Sequence, residues 1–391
     1  MGVKSENAAL NVVRTVSALL VVIGHARGWL FVPLEQVDGS VALKALYAMT
    51  SIGHGAVLVF FVLSGYFVGG SVIKASRGGY FSWKAYGITR LVRLWIVLAP
   101  ALILTLVLDF LGRTFFAGSS RFGPASDATL HTAPLTAVGN LLFLQPTYVP
   151  TLGTNGALWS LTFEFAYYLL FPIIVLGVVR GAGWPRYASA ALALMLCVFF
   201  GVNVIILFSA WLLGALLAAQ QHHVVSIVAA WRPSVRVSAR FVAVGMLLAA
   251  MLADKISGGS PDYAPPATFV VALMGAIVVG LLLPDPKPGS VVGRLTVSSL
   301  GGLAPSSYSL YAMHLPLLTL LAVVLSRDGV TGSWGPSPLN WCLLAVVVAV
   351  LVLAGWAFAQ ATERHTKKLT RWILALTAVQ GGETRPSEVH S

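Results

Sequence analysis

Two ionisable residues stand inside the first apolar stretch of this chain, where lipid tolerates neither. The stretch reads ALNVVRTVSALLVVIGHARGWLF and contains Arg14 and His25. Successive helical residues turn by about 100°, so both side chains project from one face, roughly 16 Å apart along the axis. An ionisable residue inside a membrane helix costs at least ~2.5 kcal/mol and marks a functional site by default. The stripe therefore predicts a polar lining inside a helical bundle.

Glu164 is the carboxylate whose predicted depth matches that of His25. A later stretch begins GALWSLTFEFAYY and crosses in the opposite direction, which puts Glu164 roughly 10 Å from its outer end. His25 lies near the outer end of the first stretch. Because a carboxylate beside an imidazole fixes its tautomer and raises its basicity, we predict a catalytic His25–Glu164 pair. The alternative is a pair that only joins two helices.

Two arginines open the third apolar stretch, in the sequence ITRLVRLW. Arg90 and Arg93 are three residues apart, so they share one helical face at the membrane boundary. Guanidinium groups match phosphate oxygens in geometry and charge, which predicts a phosphate clamp. Ordinary anchoring of the helix end is the alternative.

A third group of polar side chains lies in the apolar stretch that contains SYSLYAMHLPLL. Tyr308, Tyr311 and His314 follow one another at three-residue spacing and share a helical stripe. Pro316 should kink this helix or free a backbone carbonyl. The stripe either lines a polar cavity, where it would contact substrate, or packs against neighbouring helices.

The composition identifies the class of protein that must position these residues. The chain has 391 residues, of which 57% are hydrophobic and only 10% charged, against about 25% charged in soluble domains. We predict an all-α polytopic bundle of about ten transmembrane helices. One long apolar run is divided at Gly201-Val202-Asn203 because a single span would exceed the bilayer. The predicted spans are 9–30, 52–73, 88–111, 157–179, 187–202, 203–220, 240–254, 267–284, 305–326 and 339–361.

The basic residues orient the bundle and explain its net charge of +12. With both termini cytoplasmic, cytoplasmic segments hold eighteen of the 25 Lys and Arg residues and outer segments hold five. This bias accounts for the charge without nucleic acid. The long segment 112–156 then lies outside as an ordered cover. Cys197 and Cys342 lie in apolar stretches, and no metal-site or dinucleotide motif is present, so we predict no metal.

At these residues the chain resembles the acyltransferase-3 family of integral membrane O-acyltransferases. The matching segments occur in the family order over nearly the whole chain. They are Arg14-x10-His25, FFVLSGYF (60–67), Arg90-x-x-Arg93, WSLTFE (159–164), FSAWLLGALLA (208–218) and YSLYAMHLP (308–316). We therefore expect an acyltransferase-3-like transmembrane domain over 1–365. A cytoplasmic tail, disordered at its end, would follow over 366–391.

The resemblance implies transfer of an acyl group, usually acetyl, from cytoplasmic acetyl-CoA or another acyl-CoA to a hydroxyl of a carbohydrate or glycosylated acceptor. It also implies that His25 is catalytic, that Glu164 and Arg14 lie in its site, and that Arg90 and Arg93 lie near the CoA. We expect a multi-pass protein of a bacterial plasma membrane. The acceptor stays open among exopolysaccharide, lipopolysaccharide, a nodulation-type oligosaccharide and a macrolide.

Two other classes fit the same residues. A secondary transporter for a sugar or lipid-linked intermediate would also carry intramembrane Arg, His and Glu. A non-enzymatic membrane receptor is the third possibility. CoA binding distinguishes the enzyme from both.

Overall fold

The fold is a bundle of membrane-spanning helices. The structure is a computed structural model that describes residues 8–256, 266–284, 303–326 and 330–380. Within these ranges nine helices are long and apolar enough to cross a membrane, and an apolar helix of 17 residues is the tenth. The helices that match the ten predicted spans are α1 (Ala8–Leu30), α3 (Gly53–Ser64), α5 (Trp83–Phe115), α8 (Trp159–Pro172), α9 (Gly183–Phe200), α10 (Val202–Ala219), α12 (Pro233–Ile256), α13 (Pro266–Leu282), α14 (Ser307–Leu325) and α15 (Pro338–Ala361).

Shorter segments complete these spans. The second span continues from α3 through a π-helical turn at Gly65–Gly69 into α4 (Gly70–Arg77), and α8 continues through a π-helical segment at Ile173–Val179. The remaining connecting helices are α2 (Val41–Met49), α6 (Asp127–Leu130), α7 (Pro134–Leu141) and α11 (Gln221–Ala230). The predicted all-α bundle of about ten helices is confirmed.

The break between α9 and α10 confirms the predicted division of the long apolar run. Gly201 alone separates the two helices, with φ of +88°. Only glycine adopts this conformation without steric cost, so the chain can reverse there although its composition stays apolar.

Two glycines bring α3 and α10 into backbone contact. A Cβ atom on Gly214 would lie 1.9 Å from the Val62 carbonyl oxygen, and one on Gly65 would lie 1.9 Å from that of Trp211. Small residues allow this close approach, which gains van der Waals contact where lipid provides no hydrophobic drive. The crossing fixes Ser64 and Trp211 beside the cavity described below.

We expect Gly214→Ala to destabilise the protein by about 1–3 kcal/mol because the added methyl group meets backbone, which cannot rotate away. Thermal unfolding in detergent measures the effect. Gly245→Ala on α12 is the matched control, since nothing lies within 4 Å of its added Cβ. Equal melting temperatures for the two variants would contradict the close crossing.

The segment between α5 and α8, which is predicted to lie outside and is called the outer segment below, folds back into the bundle. Asp109 on α5 is completely buried and accepts hydrogen bonds from the backbone N–H (3.0 Å) and hydroxyl (2.6 Å) of Thr154. The neighbouring Gly153 has φ of +51°, and a Cβ there would lie 1.9 Å from the Asp109 carboxylate. Trp95 donates to the Leu141 carbonyl oxygen at 2.9 Å, which holds α7 beside α5.

A proline in α14 provides the second attachment for this segment. Pro316 lacks an N–H, so the carbonyl of Ala312, four residues earlier, has no intrahelical donor. The buried amide of Asn155 donates to that carbonyl at 2.9 Å and to the Thr105 hydroxyl at 3.0 Å. The predicted free carbonyl is therefore present, and α14 continues through the proline.

The predicted tail begins as a helix. α16 (Thr366–Gln380) packs on α5, where Lys84 Nζ donates to the Thr377 carbonyl oxygen at 2.6 Å. The end of the tail, for which disorder is predicted, lies outside the described residues. A short turn, Glu363–His365, joins α15 to α16 and brings a carboxylate back to the bundle.

Candidate active site

A cavity of about 220 Å³ lies between α1, α3, α5, α8 and α14. Its polar wall combines three arginines with a carboxylate, and its apolar wall is mostly aromatic and aliphatic. The residues that line it are Asn11, Arg14, Val57, Phe60, Phe61, Leu63, Ser64, Phe67, Val68, Arg90, Arg93, Leu94, Ser160, Leu161, Glu164, Tyr168, Ser307, Tyr308 and Tyr311. On the predicted orientation, the arginines mark its cytoplasmic end.

Arg90 and Arg93 differ in how far their guanidinium groups are already engaged. Arg90 donates to the Ser71 hydroxyl at 3.1 Å and lies over the rings of Tyr86 and Tyr168, 5.4 and 5.7 Å from their centroids. Arg93 makes no hydrogen bond or ion pair with any residue the structure describes, and its side chain is exposed to the cavity. Its guanidinium therefore has five N–H donors available for a ligand.

Arg14 is held in place by groups at the end of the bundle that is predicted to be cytoplasmic. Its Nε donates to the Ser307 hydroxyl at 2.7 Å, and its guanidinium pairs with Glu363 at 3.6 Å. Glu363 also accepts from the Ser309 hydroxyl at 3.1 Å. Glu363 is not predicted from the sequence, because it follows the last apolar stretch and belongs to no motif.

Glu164 lies in the cavity wall beside the arginines. It accepts hydrogen bonds from the Ser64 hydroxyl at 3.2 Å and from the Tyr168 hydroxyl, while Trp211 donates to Ser64 at 3.2 Å. The predicted His25–Glu164 pair does not form. Among the described residues, the His25 ring bonds to His314 on α14, whereas Glu164 bonds to Ser64 and Tyr168. The catalytic role of Glu164 stays a prediction.

The partner of His25 is His314 on α14. Nδ1 of His25 lies 2.9 Å from Nε2 of His314, and the rings are stacked with centroids 5.1 Å apart. His314 is completely buried, and its Nδ1 lies 2.8 Å from the Tyr311 carbonyl oxygen. The His25 ring is half-buried, and its Nε2 has no hydrogen-bond partner in the described part of the chain.

Helix α14 thus contacts both ends of the α1 stripe. Arg14 meets Ser307 near the start of α14, and His25 meets His314 two turns later. The prediction that Arg14 and His25 share one face is confirmed, because both bond to the same neighbouring helix.

Tyr308 and Tyr311 line the cavity, whereas His314 lies behind Tyr311. The Tyr308 hydroxyl donates to the Leu94 carbonyl oxygen at 3.0 Å. The Tyr311 hydroxyl lies 2.7 Å from both the Ser160 hydroxyl and the Ala157 carbonyl oxygen, and its ring centroid is 5.9 Å from that of His314. Tyr311 therefore stands between the cavity and the two histidines.

Comparison with protein families identifies the class of chemistry. A family model described as an acyltransferase domain, acyltransferase-3, matches residues 7–360. The chain belongs to the acyltransferase-3 family. It is therefore a multi-pass membrane acyltransferase, in agreement with its apolar helices. The family match covers both histidines and all three cavity arginines. Comparisons with curated proteins and with solved structures found no match.

Proposed function

We propose that this acyltransferase-3 protein is an O-acyltransferase. It transfers an acyl group, acetyl in the simplest case, from acyl-CoA to a hydroxyl of a carbohydrate or glycosylated acceptor. The observation that carries the proposal is the shape and lining of the cavity. At the end predicted to be cytoplasmic it presents Arg93, which makes no hydrogen bond within the described residues, and its other end reaches the Tyr311 ring that contacts His314.

The cavity fits the donor in charge and size. CoA carries phosphates at one end and a thioester at the end of a slim arm, so the phosphates would stay near the arginines. A cavity of about 220 Å³ has room for such a slim arm. The arm must span a distance comparable to the roughly 16 Å between Arg14 and His25.

His25 is the base in this proposal. Its Nε2 removes the proton from the acceptor hydroxyl as the hydroxyl oxygen attacks the thioester carbonyl carbon. The C–S bond then breaks, the thiolate leaves, and the imidazolium returns the proton to give free CoA and an ester. The thioester reaches His25 past Tyr311, which closes the cavity on that side.

The acceptor enters from the opposite face of the membrane. We place the protein in a bacterial plasma membrane, with acyl-CoA in the cytoplasm and the carbohydrate, such as a cell-surface polysaccharide, outside. The half-buried His25 ring near the outer end of α1 supports this arrangement, because it is reachable without passing the arginines.

We expect detergent-purified protein to bind radiolabelled acetyl-CoA saturably and to transfer the label to cell-surface glycan as an alkali-labile ester. Binding is measured by equilibrium dialysis and transfer by scintillation counting of the glycan fraction. Absence of acetyl-CoA binding would contradict the proposal. Accumulation of unmodified sugar in proteoliposomes, without ester formation, would instead identify a transporter.

A single-turnover experiment without acceptor separates two routes of transfer. Direct attack by the acceptor hydroxyl predicts no label on the protein. Acid-quenched protein that carries the acetyl label would indicate an acyl-histidine intermediate.

A further inference from the structure

We propose that His314 is a positioning residue that holds His25 in the tautomer required of a base. The inference rests on the proposed function and adds a role for a residue that is buried behind the cavity. It depends on the direction of each hydrogen bond along the path from α14 to His25.

The surroundings of His314 Nδ1 fix the proton on that nitrogen. It lies 2.8 Å from the Tyr311 carbonyl oxygen and 3.2 Å from that of Leu310. Carbonyl oxygens only accept hydrogen bonds, so Nδ1 must carry the hydrogen. The ring is completely buried, and no carboxylate among the described residues contacts it. An uncompensated buried charge is costly, so His314 is neutral and its Nε2 has a lone pair.

This lone pair determines the state of His25. Nε2 of His314 lies 2.9 Å from Nδ1 of His25, and a neutral Nε2 without hydrogen can only accept. Nδ1 of His25 must therefore donate, which leaves the lone pair of neutral His25 on Nε2. That nitrogen has no partner among the described residues, and the half-buried ring leaves it accessible to an acceptor hydroxyl.

Neutral His314 accepts a hydrogen bond from His25 and so orients its ring, a role that a carboxylate performs in other enzymes. In serine hydrolases an aspartate fixes the tautomer of the catalytic histidine, and loss of that constraint reduces the rate. Here a backbone carbonyl fixes His314, and His314 fixes His25. The ring stacking, with an interplanar angle of 16°, restricts rotation of His25. The proton that His25 gains in the reaction stays on Nε2, so the path through His314 carries no proton.

Two amide substitutions distinguish positioning from packing. His314→Gln places an amide oxygen at the reach of the imidazole Nε2 and can accept from His25. His314→Asn is also an amide but is shorter, so it reaches the Tyr311 carbonyl and not His25. We expect His314→Asn to lower kcat by about 10²-fold with little change in KM for acetyl-CoA. His314→Gln should restore the rate to within about tenfold of wild type.

Nuclear magnetic resonance of protein with ¹⁵N-labelled histidine provides a direct readout. The wild type and the Gln variant should show His25 protonated at Nδ1, and the Asn variant should show a mixture of tautomers. Equal kcat for Gln and Asn, or a His25 protonated at Nε2 in the wild type, would overturn the positioning role. If wild-type protein transferred no acyl group, the proposed function would fail instead, whereas the tautomer measurement would still test the hydrogen-bond direction.

Discussion

His25→Ala should reduce acyl transfer by about 10²–10⁴-fold, the usual contribution of a general base, and leave acetyl-CoA binding intact. The binding residues lie elsewhere: the cavity lining includes the arginines and not His25. His314 cannot replace His25, because it is completely buried behind Tyr311 and its Nδ1 faces carbonyl oxygens. The measurement is single-turnover transfer from radiolabelled acetyl-CoA, with equilibrium dialysis to confirm binding.

His131→Ala is the matched control for this variant. His131 lies in the outer segment, is one-third exposed and contacts only Asp127 through its side chain among the described residues. We expect its loss to leave the rate unchanged. Imidazole added to the His25→Ala protein should restore part of the rate, because the position of the half-buried ring is accessible to a small base. Near wild-type transfer by well-folded His25→Ala protein would disprove the mechanism.

Arg93→Ala should weaken acetyl-CoA binding by about 10–100-fold. A hydrogen bond to a charged group contributes about 1.5–3 kcal/mol, and Arg93 has no hydrogen bond within the described protein to lose. Arg90→Ala should have the smaller effect, since Arg90 is already engaged by Ser71 and two tyrosine rings. Equilibrium dialysis with labelled acetyl-CoA gives both dissociation constants.

The part of the donor that Arg93 contacts can be found with a truncated donor. Acetyl-pantetheine carries the thioester arm without phosphates. If Arg93 binds a phosphate, Arg93→Ala should not change acetyl-pantetheine binding. Arg77→Ala is the control, because Arg77 lies at the exposed end of α4 and bonds only to the Ala219 carbonyl oxygen among the described residues. Equal acetyl-CoA affinity for Arg93→Ala and Arg77→Ala would show that Arg93 does not bind the donor and only anchors the end of its helix.

The sequence was sufficient to predict the membrane helices but not to predict which helices lie side by side. Hydropathy determines where a chain crosses a membrane, and Gly201 supplied the only break in the longest run. Helical periodicity also follows from the sequence, and it predicts that Arg14 and His25 share one stripe. The neighbouring helix that this stripe faces depends on packing.

Packing also decides the partner of His25, which is why the predicted contact with Glu164 is wrong. His25 and His314 are separated by 289 residues in sequence, and nothing local to either residue encodes their contact. The backbone approach at Gly65 and Gly214 helps to set the rotation of α3 and α10, and with it the place of Ser64 beside Glu164. The role of Asn155 could not be predicted from the sequence either. Pro316 predicted only the free carbonyl group, to which the Asn155 amide donates a hydrogen bond.

The bond from Asn155 to Ala312 links the outer segment to α14, the helix that holds His314. Ala312 lies directly after Tyr311 and two residues before His314, so a displacement of Asn155 would shift the backbone that carries both side chains. The same asparagine also bonds to Thr105 on α5. Movement of the outer segment during acceptor binding would therefore change the positions of Tyr311 and His314, which lie between the cavity and His25. Residues that never touch either substrate could thus control how readily the two compartments exchange an acyl group.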